Sequence, residues 1–404
     1  MHRRSFLALA VRSSQYLIAG AFLGACGKPS PPSTIDMPPL EREQPGRSDL
    51  AELGPLQAPD GNGIRLPSGF SSRVVAVSGE APVQSASYRW HPAPDGGAVF
   101  STEDGGWVYV SNSEMRHGNG GVGALQFDGS GRLVNAYPIL GSTNRNCSGG
   151  ATPWQTWLSC EEVARGQVWE CDPRGRTPAA ARPALGRFWH EAVAVDPESG
   201  QLYLTEDRGD GCLYRFTPRS VDSRGRADLS SGLLEVAASR DGIVSWLPVP
   251  DPSAARTPTR YQVSGSSAFD RGEGMGYFDG TIYFTTTGDD RVWAYQIATA
   301  RLYRVYDAAT AATPLLRGAD NLAVGRSGDL LVAEDGDDMQ LVVLTPGGSI
   351  RPLLQVSGHG ASEITGPAFT SDHQRLYFSS QRGAAGRSDA GITYEISGPF
   401  AGRL

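Results

Sequence analysis

The chain has 404 residues, with 43 Asp and Glu against 36 Lys and Arg, a formal net charge of −7 and 51 glycines. That length accommodates two average domains or one large all-β domain. The acidic balance offers no basic field to attract a phosphate backbone by counterion release, which argues against nucleic acid as a partner.

The first residues read as an address. Paired arginines in residues 2–9 (HRRSFLAL) precede Phe6 and Leu7 in the pattern of a twin-arginine export signal. Residues 17–25 are apolar but too short to span a bilayer, and Leu23, Gly24, Ala25 and Cys26 resemble a bacterial lipoprotein box. Residues 1–26 are therefore expected to be a signal peptide with a lipidated Cys26. The mature protein would be exported, as a periplasmic or cell-envelope lipoprotein that touches membrane only through that anchor. A monomer is expected. Residues 27–60, rich in Pro, Ser and charge, are expected to form a disordered tether, and residues 61–404 a single domain.

From residue 66 onward no long amphipathic helical pattern occurs. Short apolar runs bounded by Gly, Asp, Asn and Pro predict an all-β fold. A unit of two strands joined by a tight turn, followed by a third strand, recurs along the chain: AVAVDPESGQLYLTED with CLYRFTP is one copy, and LAVGRSGDLLVAEDGDD with LVVLTP is another. Anchors at Gly97, Gly149, Glu191, Glu273, Asn321 and Thr365 are spaced by about 40 to 50 residues except for one interval of about twice that, which is the period of propeller blades. A six-bladed β-propeller is predicted, with seven blades as the fallback. Residues 220–259 lack the hairpin pattern and read as an insertion.

In a propeller the ends of the innermost strands meet at a central channel, so polar residues at equivalent positions converge there. Acidic residues recur at predicted strand ends: Glu103, Asp104 and Glu114; Glu161 and Glu162; Glu206 and Asp207; Asp289 and Asp290; Glu334 and Asp335. His190 with Glu191, Glu273, Asp320 with Asn321, and Glu363 stand at strand starts. Any one of these reads equally well as a turn residue. As a group around one axis they would repel each other and raise each other's pKa unless cations neutralised them. Hard oxygen ligands suit Ca²⁺, and a thiolate among carboxylates suits a transition ion such as iron. Cys160 is expected to be a buried strand thiol, and a Cys171–Cys212 disulfide is left open. His117, His359 and His373 are expected at the surface.

One stretch is more specific. Residues 146–162, NCSGGATPWQTWLSCEE, resemble the NCAGG-T-PWGTWLTCEE signature of PhoX-type alkaline phosphatases, with Ser148 and Gln155 as departures. Similarity continues in GRFWHE (186–191), LTEDRGDGCLYRF (204–216), RGEG (271–274) and TGPAFTSDHQRLYFSSQ (365–381), so it covers most of the chain from about residue 97. The resemblance implies a propeller channel holding Fe³⁺ and Ca²⁺ ions. It makes Cys147 an iron-bound thiolate, Glu191 and Glu273 carboxylate ligands, and Arg271 the arginine that holds the phosphoryl group. Asn112 and Glu114 take the place of the family's NHE motif, with Ser113 where the His would stand. Glu162, Glu206 and Glu334 complete the expected metal set, and Arg271 and Asn112 the catalytic one. The implied substrate is a small phosphomonoester, whose phosphoryl group clustered cations can polarise while a planar Arg fork binds its oxygens. Two other readings are a calcium-holding propeller that serves as a binding module without turnover, and a gluconolactonase-like hydrolase using Asn321 and Glu334 around one divalent ion.

Overall fold

The computed structural model describes residues 48, 50–84, 87–336 and 338–400. The expected signal peptide, the Cys26 anchor and most of the expected tether lie outside the described residues. Among those described, regular structure is strand apart from three short 3-10 turns, so the all-β expectation holds.

Runs of β-branched and aromatic residues closed by Gly and Asp turns fold as antiparallel meanders. The first comprises Pro94–Ser101, Trp107–Ser113, Gly120–Phe127 and Leu133–Thr143, and the second Asn146–Ala151, Trp157–Gly166, Val168–Cys171 and Ala180–Ala181. The third takes Phe188–Val195, Leu202–Glu206, Gly211–Pro218 and Gly232–Arg240, and the fourth Gly272–Phe278, Thr281–Thr286, Arg291–Gln296 and Arg301–Asp307. Ala319–Val324, Leu330–Glu334, Gln340–Leu344 and Ile350–Val356 make the fifth. In the sixth, Ile364–Phe369, Arg375–Ser380 and Ile392–Ser397 receive their outer strand from the other end of the chain, Ser71–Val77, which pairs antiparallel with Ile392–Ser397.

The first strands of successive meanders pack against one another, and that of the sixth packs against that of the first. Gly150 permits that approach, since a Cβ there would collide with the Val193 carbonyl of the next meander, while a Cβ at Gly149 would collide with the Leu158 carbonyl of its own meander. Between meanders lie layers of buried apolar side chains, among them Tyr109 stacked on Tyr377 at 5.1 Å and Phe378 stacked on Tyr394 at 5.2 Å. Each such ring contributes about 1.5–3 kcal/mol by leaving water.

Four details depart from the sequence reading. Residues 220–259 contain the strand Gly232–Arg240 and a further hairpin strand, Ile243–Pro248, reversed at Asp241 and Gly242 with φ of 51° and 75°. That Asp-Gly pair is a hairpin signal the repeat pattern obscured. Packing also begins ahead of residue 61: Leu50 is buried in the core beside Leu331 and Leu353, and its N–H faces Asp329. The four described cysteines are free, and Cys171 and Cys212 lie in different core clusters, so they form no bridge; Cys160 is buried as expected. His359 is buried rather than at the surface, with Nδ1 2.8 Å from Ser380 Oγ.

Candidate metal centre

One irregularity, repeated, builds the site. In all six meanders the pairing of the first two strands skips a residue, between Pro94 and Gly97, Asn146 and Gly149, His190 and Val193, Gly272 and Met275, Ala319 and Leu322, and Thr365 and Ala368. Each is a β-bulge, with two residues on the first strand opposing one on the second. A bulge breaks the in-out alternation and re-aims its first residue. That first residue is Asp95, Cys147, Glu191, Glu273 and Asp320 in the first five meanders and Gly366, which has no side chain to offer, in the sixth. The sixth meander supplies Glu363, just ahead of Ile364–Phe369 and bridged to Asp335. A second set follows where the second strands stop pairing with the first: Glu114, Asp207, Thr287, Asp335 and Gln381 just past their strands, and Glu162 within Trp157–Gly166, one residue beyond the Asn146 partner Glu161.

These two rows converge. Ligand atoms of Cys147, Glu162 and Glu191 lie within 4.8 Å of one another, as do those of Asp95, Glu114 and Glu363, of Glu191, Glu273 and Asp320, and of Asp320, Asp335 and Glu363. Glu191 and Asp320 each belong to two groups, and Glu363 likewise. Cys147 Sγ is 3.6 Å from Asp95 Oδ2 and so ties the first group to the second. Both carboxylate oxygens of Glu191 are buried without a hydrogen-bond partner among the described residues. An orphaned carboxylate of that kind costs several kcal/mol unless a proton or a cation meets it. The donor set of one thiol and many carboxyl oxygens fits hard cations with at least one softer ion at Cys147.

The protonation equilibria agree. Burial, then the charges of Glu273 and Glu162, hold the Glu191 carboxyl far above its ordinary range. Burial raises Asp95, Glu273 and Glu363 in the same way, each with acidic neighbours adding to it. It pushes Asp320 to about 7 and, despite Arg145, Glu162 to about 8. The Cys147 thiol is pushed up by burial and by Asp95. Without cations these groups keep protons, and binding a cation must release them. A raised carboxyl pKa supports the fold fully below the unfolded value of about 4, and that support is lost as pH rises through the folded values. Chelated protein is therefore expected to lose at least about 5 °C in Tm between pH 5 and pH 8.5, while cation-loaded protein stays level. Parallel melting curves for the two forms would contradict the reading of the cluster as a cation site.

Arginines brace both rows. Arg145 Nη2 contacts Glu114 at 2.6 Å and Glu162 at 2.5 Å, and Arg382 contacts Glu363 at 2.9 Å. Arg271 grips Asp207 through Nε and Nη2 at 2.8 and 3.0 Å, and its Nη2 lies 3.1 Å from Glu273. Its Nη1 has no partner among the described residues. Gln381 donates to Asp95 at 2.6 Å and Glu114 at 3.1 Å, and Thr287 to Glu273 at 2.6 Å.

The structure thus brings Cys147, Glu191, Glu273, Glu114, Glu162 and Arg271 together. It places three other expected site residues elsewhere. Glu206 points into the core, accepting from Arg260 Nη1 at 2.8 Å and Tyr214 Oη at 2.9 Å. Glu334 accepts from the backbone N–H groups of Arg317 and Gln340 at 3.2 and 2.9 Å. Both are the last paired residue of a second strand, and alternation sends the next residue, Asp207 or Asp335, toward the acidic groups instead. Asn112 is fully buried: its Nδ2 donates to the Cys147 and Ser148 carbonyls at 3.1 and 2.7 Å, and its Oδ1 accepts from Trp157 and Ser159. It cannot reach a substrate. It opposes the bulge of its own meander and clamps that of the next, as Thr205 does at the Glu273 carbonyl and Thr285 at that of Asp320. Glu103 and Asp104 lie exposed in an outer turn, and Asp289 and Asp290 serve Arg291 and the Gly318 N–H. Sequence reasoning missed Asp95 and Arg145. The signal for Asp95 was its place two residues before Gly97, as Cys147 stands two before Gly149.

The profile of the family described as alkaline phosphatase PhoX matches residues 103–310, just over half of the chain. Among solved structures, PhoX of Pseudomonas fluorescens in complex with vanadate, a transition-state analogue, superposes with a TM-score of 0.69 at 17% identity, over 87% of this chain and 98% of that one. A protein of unknown function from Bacteroides thetaiotaomicron gives 0.51 at 8% identity, over 81% and 76%. A gluconolactonase of Xanthomonas campestris gives 0.48 at 16% identity, over 86% and 98%. No curated protein sequence matches the chain.

Proposed function

Because the chain belongs to the PhoX alkaline phosphatase family, and is thus a phosphatase, we propose that it hydrolyses phosphomonoesters at cations held by the carboxylate and thiol rows. The six meanders, with their first strands packed in sequence and Ser71–Val77 joining the last, support a closed six-bladed propeller whose axis carries those rows. The observation that carries the reading is Glu191, whose two oxygens are buried without partners amid Cys147, Glu162, Glu273 and Asp320. An apolar side chain would fill that place better in a protein that held no ion there.

Bound cations would polarise the phosphoryl oxygens and stabilise charge on the departing alcohol oxygen. Cys147, Glu162 and Glu191 are proposed to hold iron, and the Asp95, Glu114, Glu363 and Asp335 side calcium. Arg271 is anchored to Asp207 and Glu273, with Nη1 left to donate to a phosphoryl oxygen. The water oxygen joins phosphorus, the bond from phosphorus to the alcohol oxygen breaks with its electron pair, and the alcohol leaves with a proton. The thiol and carboxyl protons displaced on loading leave a site that can accept one. The paired arginines of residues 2–9 and Cys26 support export to the cell envelope.

The test is elemental analysis of the folded protein beside phosphate release from an aryl phosphate. Iron and calcium with turnover that chelation abolishes is expected. Calcium alone and no turnover would replace the phosphatase reading with a binding propeller. Arg271→Ala is expected to weaken competitive inhibition by inorganic phosphate by roughly ten- to a hundredfold with metal content retained. Unchanged inhibition would put the phosphoryl clamp on another residue.

A further inference from the structure

Beside the Cys147, Glu162 and Glu191 group lies a surface cavity of about 330 Å³ lined by Arg116, His117, Asn144, Arg145, Val163 and Trp189. Arg145 is the partition between the two, since its guanidinium is the group that contacts Glu114 and Glu162. Trp189 pairs in register with Glu162 and stands two residues before Glu191. A phosphoryl group held at the metal cluster has this cavity as its neighbour across one side chain.

The cations at this cavity differ from those that touch the acidic groups. Arg145, Arg271 and Arg382 are each neutralised by carboxylates. Arg116 and His117 are exposed with no ion-pair partner among the described residues, and the Arg208 guanidinium lies 5.0 Å over the Trp189 ring, also without one. On a chain of net charge −7, cations left unpaired around an indole and a valine are a recognition pattern. The apolar floor suits a flat body, and the guanidinium rim suits a carboxylate or phosphate on it.

We infer that this cavity is the leaving-group subsite and selects phosphomonoesters whose alcohol part is flat and carries a second negative charge. The inference rests on the phosphatase reading and is tested so that the two can fail separately. In the first arm, kcat/KM is measured for 4-carboxyphenyl phosphate and for phenyl phosphate, each cleaved by water to inorganic phosphate and the free phenol. The second arm measures binding of 4-hydroxybenzoate and of phenol by calorimetry, which needs no turnover.

The wild type is expected to favour the carboxylated ester by about tenfold or more, and the Arg116→Ala/Arg208→Ala double variant to lose about tenfold of that ratio. It is likewise expected to bind 4-hydroxybenzoate more tightly than phenol, with the difference reduced in the variant. Both changes lie at exposed side chains, and an unchanged melting temperature checks the fold. A wild-type ratio of one or below, an equal loss on both esters, or 4-hydroxybenzoate bound no better than phenol overturns the inference. If neither ester turns over but the arginine-dependent binding of 4-hydroxybenzoate is found, the anion subsite stands and the phosphatase reading falls.

Discussion

Glu191→Met is expected to abolish phosphate release, by about a thousandfold or more, and at the same time to make the metal-free protein more stable. The two effects have one cause. Glu191 is fully buried, its oxygens have no hydrogen-bond partner among the described residues, and its neighbours Glu273, Glu162 and Asp320 are acids. Methionine of similar volume removes two unsatisfied polar atoms, worth about 1–3 kcal/mol. It also removes a ligand shared by two of the acidic groups, and loss of the several kcal/mol that clustered cations supply to the transition state accounts for the rate. With cations added the order should reverse, because only the wild type gains stability from binding. Melting curves with and without chelator, beside a turnover assay, check this. A chelated Glu191→Met protein less stable than chelated wild type would show that the carboxylate has a protein partner and is not held in place for an ion.

Cys147→Ser should lose the transition ion and turnover, on the order of a hundredfold or more, and keep the fold and the calcium. Sulfur is the one soft donor in the described rows, and its exchange for a hydroxyl changes which ion is preferred more than how many ligands are present. The backbone there does not depend on the thiol: Asn112 holds the Cys147 carbonyl, and Gly149 and Gly150 set the approach of the neighbouring strands. The Asp95, Glu114 and Glu363 group retains all its oxygens. Elemental analysis separates the outcomes, and unchanged transition-metal content would remove Cys147 from the ligand set. A simultaneous loss of calcium would mean that the groups load as one unit through the 3.6 Å contact of Cys147 with Asp95.

The chemistry of an amide such as that of Asn112 beside a cluster of ligands invites a catalytic role, yet all four of its hydrogen-bonding positions are used inside the protein. Asn112→Ala would act through the Cys147 backbone, not through substrate contact.

Much could be read without coordinates. Strand-length apolar runs between Gly and Asp turns specified an all-β meander, because local turn chemistry and side-chain alternation are written residue by residue. The family signature around residues 146–162 pointed to Cys147, and the strand starts to Glu191, Glu273, Asp320 and Glu363. Which member of each acidic pair faces the ligand cluster was not legible. In Glu206-Asp207 and Glu334-Asp335 the two side chains point to opposite faces, and a frame shift of one residue exchanges their roles. That frame is set by the bulge opposite, and a bulge depends on how two strands seat against the next meander, a contact between residues far apart in the chain. Asp95 and Arg145 were missed for the same reason: nothing local distinguishes them from turn residues, and only the convergence of separate meanders makes one a ligand and the other the wall of a pocket.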